Sequence, residues 1–455
     1  MKKEKIKYSN MDLMDKAPVT RAVLQLAFPT ILSNTLSMIN NLVSAYYLGL
    51  MGDPYQMAAV TLAMPVQMCI GAVGNMFAAG TPPYIARKLG TKEYGEARRA
   101  SATSFCSSAF FSMLMIAVYF LFRVPLLRVI GTSENTLGPT RIYIDIVAGF
   151  NFFVILMIAL SGTLRSEGAT KHSMIGLGGG ALLNIVLAPI FIFGFDWGIA
   201  GAAWASVCSH AFSFFYMLQR FLRKKTVLSI SPRDFRLSWT IYREILKFGV
   251  PAALNGVLTS LTGILGNRVA AFRFGDYTVA AQGIAVRVYN MTYMVSFGFC
   301  GGYQPFAAFN VGAKNYKRLL GAFKVSMVFC FGLGILSALM FLAIPGPVIG
   351  LFSPDAEVIA IGTKVLRAMS AAVVFLGAQN AFMYTLQALD KPGRSMVISL
   401  GRQTIYVPLL YGLTALFGFT GFLFVYPAAD LIISLVSAAL TVRLLLGLSK
   451  RCTNP

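Results

Sequence analysis

The chain has 455 residues, of which 56% are hydrophobic and only 12% charged, with a mean hydropathy of +0.68. An ordinary soluble domain carries about 25% charged residues, and no soluble fold of this length can hide so much apolar surface, so lipid must cover it. The net charge of +22 invites a nucleic-acid reading, but the cations fall in alternate loops between long apolar runs, which excludes that reading and identifies an integral membrane protein.

In chain order, residues 1–21 are polar and charged and form an expected cytoplasmic tail. The apolar run that follows is too long for the core of a cleavable signal peptide. Twelve runs of membrane-spanning length follow, at roughly 22–48, 56–86, 97–122, 137–164, 170–193, 198–222, 241–272, 278–309, 318–343, 356–389, 393–416 and 420–446. Barrel strands would instead read as short alternating segments. Lys2, Lys3, Lys5, Lys7 and Lys16 crowd the tail, and Arg87, Lys88, Lys92, Arg98 and Arg99 follow segment 2. Arg220, Arg223, Lys224, Lys225, Arg233, Arg236, Arg243 and Lys247 surround the central loop, whereas the loops after segments 1, 5 and 11 carry no Lys or Arg. This asymmetry predicts a multi-pass protein of the inner (plasma) membrane with both termini cytoplasmic. The expected partners are membrane lipids and a small-molecule substrate, with no nucleic acid, and the chain is expected to be a monomer.

A phrase is written twice. "PYIARKLGTKEYGEAR" begins at Pro83 and "PFAAFNVGAKNYKR" begins 222 residues later at Pro305. The same offset of 222 pairs Pro29 with Pro251, Ala58 and Ala59 with Ala280 and Ala281, Gly80 with Gly302, Pro125 with Pro347, Thr163 with Thr385, and Ser173–Met174 with Ser395–Met396. The expected fold class is therefore an all-α membrane protein of two homologous six-helix lobes related by a pseudo-twofold axis along the membrane normal. The expected parts are a tail at 1–21, an N-lobe at 22–222, a basic linker at 223–240, a C-lobe at 241–446 and a second tail at 447–455.

Polar residues inside the segments mark candidate inward faces. In segment 1, Ser33, Ser37, Asn40 and Ser44 recur at helical spacing, and segment 7 repeats the stripe with Asn255, Thr259 and Thr262. Amides and hydroxyls in lipid need partners or water. Two readings fit these stripes: the lining of a substrate cavity, or hydrogen bonding between helices. Gln67, Gln282, Tyr289, Asn290, Gln379 and Asn380 join the cavity candidates. Asp430 lies nine residues into segment 12 from Gly421, and Arg402 nine residues into segment 11 from Gly393. At 1.5 Å per residue each sits about 14 Å deep, which predicts an ion pair, with Arg287 of segment 8 as a further neighbour.

Much is absent. The six cysteines are scattered without a CxxC pair, and there are only two histidines, His172 and His210, so neither a disulfide framework nor a His-built metal site is expected. No phosphate-binding Walker loop, GxSxG or HExxH occurs, so the chain reads as neither an ATP-driven pump nor an enzyme.

"GYQPFAAFNVGAKNYKR", "TLRSEGATKHSM", "LLNIVLAPIFIFGFDWGIAGAAWAS" and "GRQTIYVPLL…YPAAD" together resemble the multidrug and toxic compound extrusion (MATE) transporters, in their MepA-like bacterial branch. The resemblance covers essentially the whole chain. It implies a twelve-helix, two-lobe secondary exporter of amphipathic, drug-like compounds, working by alternating access and coupled to Na⁺ or H⁺, with no other cofactor. It also implies a cation site, for which Asn41, Ser44, Asn184 and Ser206 are the candidates. The sequence departs from the family here, because Ser44 stands where many members have an Asp and Ala188 where many have a second. A family acid of segment 7 also has no match. The missing acids keep an alternative alive, a flippase or scramblase of lipid-linked precursors.

Overall fold

The computed structural model describes residues 11–130 and 132–453, with side-chain surroundings up to Leu448. Lys2, Lys3, Lys5, Lys7 and residues 454–455 lie outside the described residues. The described chain is all-α. Its spans are α1 (Val19–Leu50), α2 (Pro54–Gly90), α3 (Tyr94–Leu121), α4 (Glu134–Gly149 with Asn151–Ser166), α5 (Thr170–Pro189) and α6 (Gly198–Leu222). The second set is α7 (Trp239–Phe274), α8 (Asp276–Gly312), α9 (Tyr316–Ala343), α10 (Ala356–Ala388), α11 (Pro392–Leu423) and α12 (Val425–Thr453). Nine of these are individually long and apolar enough to cross a membrane, and α4, bent by 46° at Phe150, makes a tenth. The two that fall short, α6 and α8, are rich in Gly and Ala, small residues that suit close helix packing rather than lipid contact.

The repeated phrase is a repeated turn. Lys92 and Lys314 both adopt left-handed backbone, with φ of 63° and 56°. In both copies the next residue's amide reaches back to close the helix: Glu93 N to Lys88 O at 2.9 Å, and Asn315 N to Asn310 O at 2.8 Å. This is the six-to-one bond of a Schellman cap. Gly168 and Asp390, also 222 apart, repeat the device after α4 and α10, with φ of 80° and 58°. Beyond α5 the register slips by two residues. Gly198 and Gly418 share positive φ of 50° and 58°. A side chain added at Gly201 would meet Phe191 O at 2.5 Å, and one added at Gly421 would meet Leu413 O at 1.9 Å. The offset there is 220, because the second repeat is two residues shorter before its last helix.

The chain divides into two compact units. In the first, α2 packs against both pieces of α4 and against α3, around Ile70, Tyr143, Ile144, Ile155 and Ile199. In the second, α10 packs against α8, α9 and α12 around Tyr289, Leu366, Met369, Val373 and Leu376. The division differs from the expected one. The first unit keeps the stretch expected as a separate linker and the opening turns of α7, up to Ala253, whereas the second takes Pro18–Ala27. The reason lies in the anchoring of residues 226–242. Arg98 Nε donates to Val227 O at 3.0 Å, and Thr103 Oγ1 donates to Arg236 O at 3.2 Å. Glu167 Oε2 accepts from Val227 N at 3.2 Å, and Ser107 Oγ pairs with Tyr242 Oη at 2.6 Å. Burial pushes the Glu167 carboxyl up to about 8, against the opposing pull of the Val227 amide and the Arg220 guanidinium. Within the first unit, α7 approaches α2 closely enough that a side chain at Gly80 would meet Ile245 O at 2.1 Å. Within the second, one at Gly302 would meet Leu26 O at 2.4 Å.

Candidate functional site

In the first unit, three neutral oxygens converge near the ends of α1, α5 and α6. Ser44 Oγ donates to Asn184 Oδ1 at 3.3 Å, and Asn184 Nδ2 donates to Ser206 Oγ at 3.2 Å. Three of the four residues named for a cation site are thus brought together, while Asn41 is exposed. Ala188 is buried with Ile192, Tyr47 and Met51 in an apolar cluster beside the trio. Among the described residues there is no group of three or more His, Cys, Asp or Glu that could hold a metal. The trio offers polar oxygens without a negative charge, a weak donor set for a hard cation.

The second unit differs at the equivalent place. Ser44 maps to Gly266 and Asn184 to Tyr406 at an offset of 222, and Ser206 to Tyr426 at 220. The Tyr406 and Tyr426 rings lie 4.9 Å apart, and a side chain at Gly266 would come within 2.8 Å of Tyr406 Oη. Aromatic bulk takes the space that polar groups hold in the first unit.

The charged cluster of the second unit lies close by. Asp430 has no exposed surface. Arg402 Nε donates to its Oδ1 at 2.6 Å and Nη2 to its Oδ2 at 3.4 Å. The Tyr289 hydroxyl donates to Oδ2, and Gln379 Nε2 donates to the Asp430 carbonyl and to Ser434 Oγ, both at 2.9 Å. Arg402 also lies 5.8 Å from the centre of the Tyr289 ring, in cation–π reach. The expected contribution of Arg287 is corrected: it is exposed and forms no ion pair with Asp430, because its position on α8 differs by two residues from that of Tyr289 and so faces another side. By the same offsets Arg402, Asp430 and Tyr289 correspond to Gly180, His210 and Gln67, so the ion pair has no counterpart in the first repeat.

The polar stripes separate into two kinds. Thr262 Oγ1 donates to Gln403 Oε1 at 2.9 Å, and Gln403 Nε2 donates to Thr259 Oγ1 at 2.8 Å. These threonines tie α7 to α11. Gln67 is likewise held by Tyr143 Oη at 2.9 Å, and Gln379 belongs to the Asp430 cluster. Ser33 and Ser37 turn back to the backbone of their own helix, and Asn290 is exposed. By contrast, Asn40 Oδ1, Asn255 Oδ1, Gln282 Oε1 and Asn380 Nδ2 are buried polar atoms with no partner among the described residues. Sequence reasoning missed Gln403, Ser434 and Tyr426. Ser434 sits one helical turn after Asp430, and that spacing was a readable signal.

The family model MatE matches residues 29–190 and 251–412, once in each repeat and together more than half of the chain. The chain belongs to the MatE family. The matched ranges start at Pro29 and Pro251 and share the 222-residue offset. Among its relatives, the multidrug export protein MepA of Staphylococcus aureus (strain MSSA476) is 28% identical over 92% of each chain. The multidrug export protein MepA of Staphylococcus saprophyticus is also 28% identical, over 98% of this chain and 97% of its own. Among solved structures, one described as the outward-facing conformation of a multidrug resistance MATE family transporter superposes with a TM-score of 0.90. It is 22% identical and covers 96% of this chain and 98% of its own. A transporter from Pyrococcus furiosus, described as having a binding pocket of reverse polarity, superposes with a TM-score of 0.89 at 22% identity, over 96% and 98% of the two chains. This MatE chain is therefore a twelve-helix, two-unit, multi-pass membrane protein and a transporter rather than an enzyme.

Proposed function

We propose that the chain is a secondary exporter of small amphipathic, drug-like molecules, working by alternating access as a monomer with both termini in the cytoplasm. The naming of the MepA relatives as multidrug export proteins supports export as the activity. The observation that carries the reading from the chain itself is the set of buried amide atoms without a partner among the described residues, Asn40 Oδ1, Asn255 Oδ1, Gln282 Oε1 and Asn380 Nδ2. A buried polar atom left unpaired costs about 1–3 kcal/mol, and a cavity that admits water and a substrate would offset that cost. Neutral amides with few fixed charges suit varied amphipathic ligands.

Na⁺ or H⁺ is the proposed coupling ion. Ser44, Asn184 and Ser206 are its proposed binding oxygens, completed during the cycle by water or by the substrate. Asp430 is given a structural part, because Arg402 and the Tyr289 hydroxyl hold its carboxylate in place between α8, α11 and α12.

The test is transport in proteoliposomes with ethidium as the amphipathic probe. An imposed Na⁺ or H⁺ gradient is expected to drive ethidium against its own gradient. Gradient-independent movement of a fluorescent phospholipid, with no ethidium transport under either gradient, would overturn export in favour of a flippase.

A further inference from the structure

The second unit carries a pocket that neither the coupling nor the substrate reading uses. It has a volume of about 190 Å³ and is lined by Arg268, Val269, Phe272 and Arg273 of α7 and by Tyr411 and Thr414 of α11. Arg268 lies six residues before the end of α7 at Phe274, about 9 Å along the axis. The pocket therefore sits near the membrane boundary, at the end of α7 opposite the basic segment.

Several features point to an anion. Two arginines, Arg268 and Arg273, line one small pocket, and guanidinium is the side chain best matched to phosphate. The hydroxyl of Thr414 is buried, with the residue 2% exposed, yet it has no partner among the described residues. Phe272 and Tyr411 are 80% and 52% exposed, so the rim is apolar and faces outward. An anionic head with an apolar tail fits this arrangement better than a small free anion does.

The bland explanation is that arginine at a helix C-terminus complements the helix dipole. It accounts for Arg273, in the last turn, and not for Arg268, more than a turn earlier. The first repeat decides against it. The matching positions there are Tyr46, Tyr47, Leu50, Met51, Pro189 and Ile192. Tyr47, Met51 and Ile192 pack into one apolar cluster. The fold closes this place with hydrophobic side chains in one copy, so it does not require a basic pocket in the other.

We propose that this pocket binds the phosphate of a phospholipid headgroup, with Arg268 and Arg273 on the phosphate oxygens, the Thr414 hydroxyl donating to one of them, and the lipid tails running past Phe272 and Tyr411. The lipid is a resident ligand, not cargo.

The test is calorimetric titration of the full chain in a nonionic detergent with dihexanoyl-phosphatidylglycerol, and separately with dihexanoylglycerol and inorganic phosphate. Saturable binding of the phospholipid is expected, with none of dihexanoylglycerol. Arg268→Tyr with Arg273→Met installs the residues of the first repeat and is expected to weaken binding on the order of tenfold or more, the loss of a charged hydrogen bond's worth of affinity. Thr414→Val, nearly isosteric, should weaken it less. Equal binding by dihexanoylglycerol, or unchanged affinity in both variants, overturns the proposal. Inorganic phosphate binding as tightly as the phospholipid would keep the phosphate site but overturn the lipid as its occupant. Should the double variant fail to fold, the wild-type comparison of phospholipid with dihexanoylglycerol and the Thr414→Val titration still decide.

Discussion

Arg402 Nε lies 2.6 Å from Asp430 Oδ1, so α11 and α12 are joined by a charge pair whose acid is wholly enclosed by protein. Removing one member of such a pair leaves the other charged and buried, at about 3–5 kcal/mol. Asp430→Asn is therefore expected to lower the yield of folded protein sharply. Asp430→Asn combined with Arg402→Gln should recover it, read by thermal unfolding in detergent. If Asp430 is a fixed support, the recovered double variant transports ethidium with an unaltered pH profile; loss of that profile would assign the proton to Asp430.

The cation trio lacks only a charge. Ser44→Asp places a carboxylate beside Asn184, whose Oδ1 is 3.3 Å from Ser44 Oγ in the wild type. The variant is expected to gain more stabilisation by Na⁺ than the wild type, seen as a larger rise in melting temperature with added NaCl over an equal concentration of choline chloride. Ala188→Asp should do the opposite. It forces a carboxylate among Tyr47, Met51 and Ile192, and reduced expression is the expected outcome.

Glu167 makes stability depend on pH. Its carboxyl sits at about 8 when folded, above its ordinary value near 4.3 in an unfolded chain. The folded form therefore holds the proton more tightly. Its contribution is fully present below the unfolded value and lost as pH rises through 8. The wild type should lose melting temperature between pH 5 and pH 8 relative to Glu167→Gln, which keeps an acceptor for Val227 N, and the two curves should run parallel above that range. Parallel curves throughout would show that Glu167 does not titrate there.

The stripes can be separated by labelling. In a background without the native cysteines, Ser37→Cys and Thr259→Cys should both react with a water-soluble maleimide, since both positions are exposed. Ser33→Cys, at 3% exposure, should react at least tenfold more slowly, a difference on the scale of a modest local opening energy. Uniform reactivity would remove the distinction between the exposed and packed faces.

Gly80 and Gly302 are close-approach sites. Alanine at either collides with backbone oxygen at 2.1 or 2.4 Å, and overpacking of this kind costs about 1–3 kcal/mol. Gly95→Ala, in open space on α3, should gain up to about 1 kcal/mol from helix propensity. Melting temperatures of the three variants would rank Gly95→Ala above wild type and the other two below it.

The repeat was readable because its markers are residues whose backbone demands leave little choice. Lys92 and Lys314 occupy the same left-handed turn, and Pro29 and Pro251 open the same matched range. The depth of Arg402 and Asp430 followed from counting along two helices, and their pairing is what the geometry gives. Direction around a helix was harder. Thr259 and Thr262 look inward by spacing, yet they meet Gln403, a residue with no periodic partner of its own. Arg287 needed a rotation that sequence depth alone does not supply. Unit membership was hidden as well, because the composition of residues 223–240 reads as a solvated linker, while single bonds from Arg98, Thr103 and Glu167 fasten it.

The allocation of the opening turns of α1 and α7 carries a consequence for whether either half can stand alone. A half-length chain ending at Leu222 lacks the residues that pack at Gly80, and one starting at Trp239 lacks those that pack at Gly302. Neither half is complete alone, yet a pair of halves supplies both missing strips, which is the arrangement of a domain-swapped dimer. Joining the halves in one chain supplies both strips at once. Separately encoded halves are accordingly expected to accumulate only when made together.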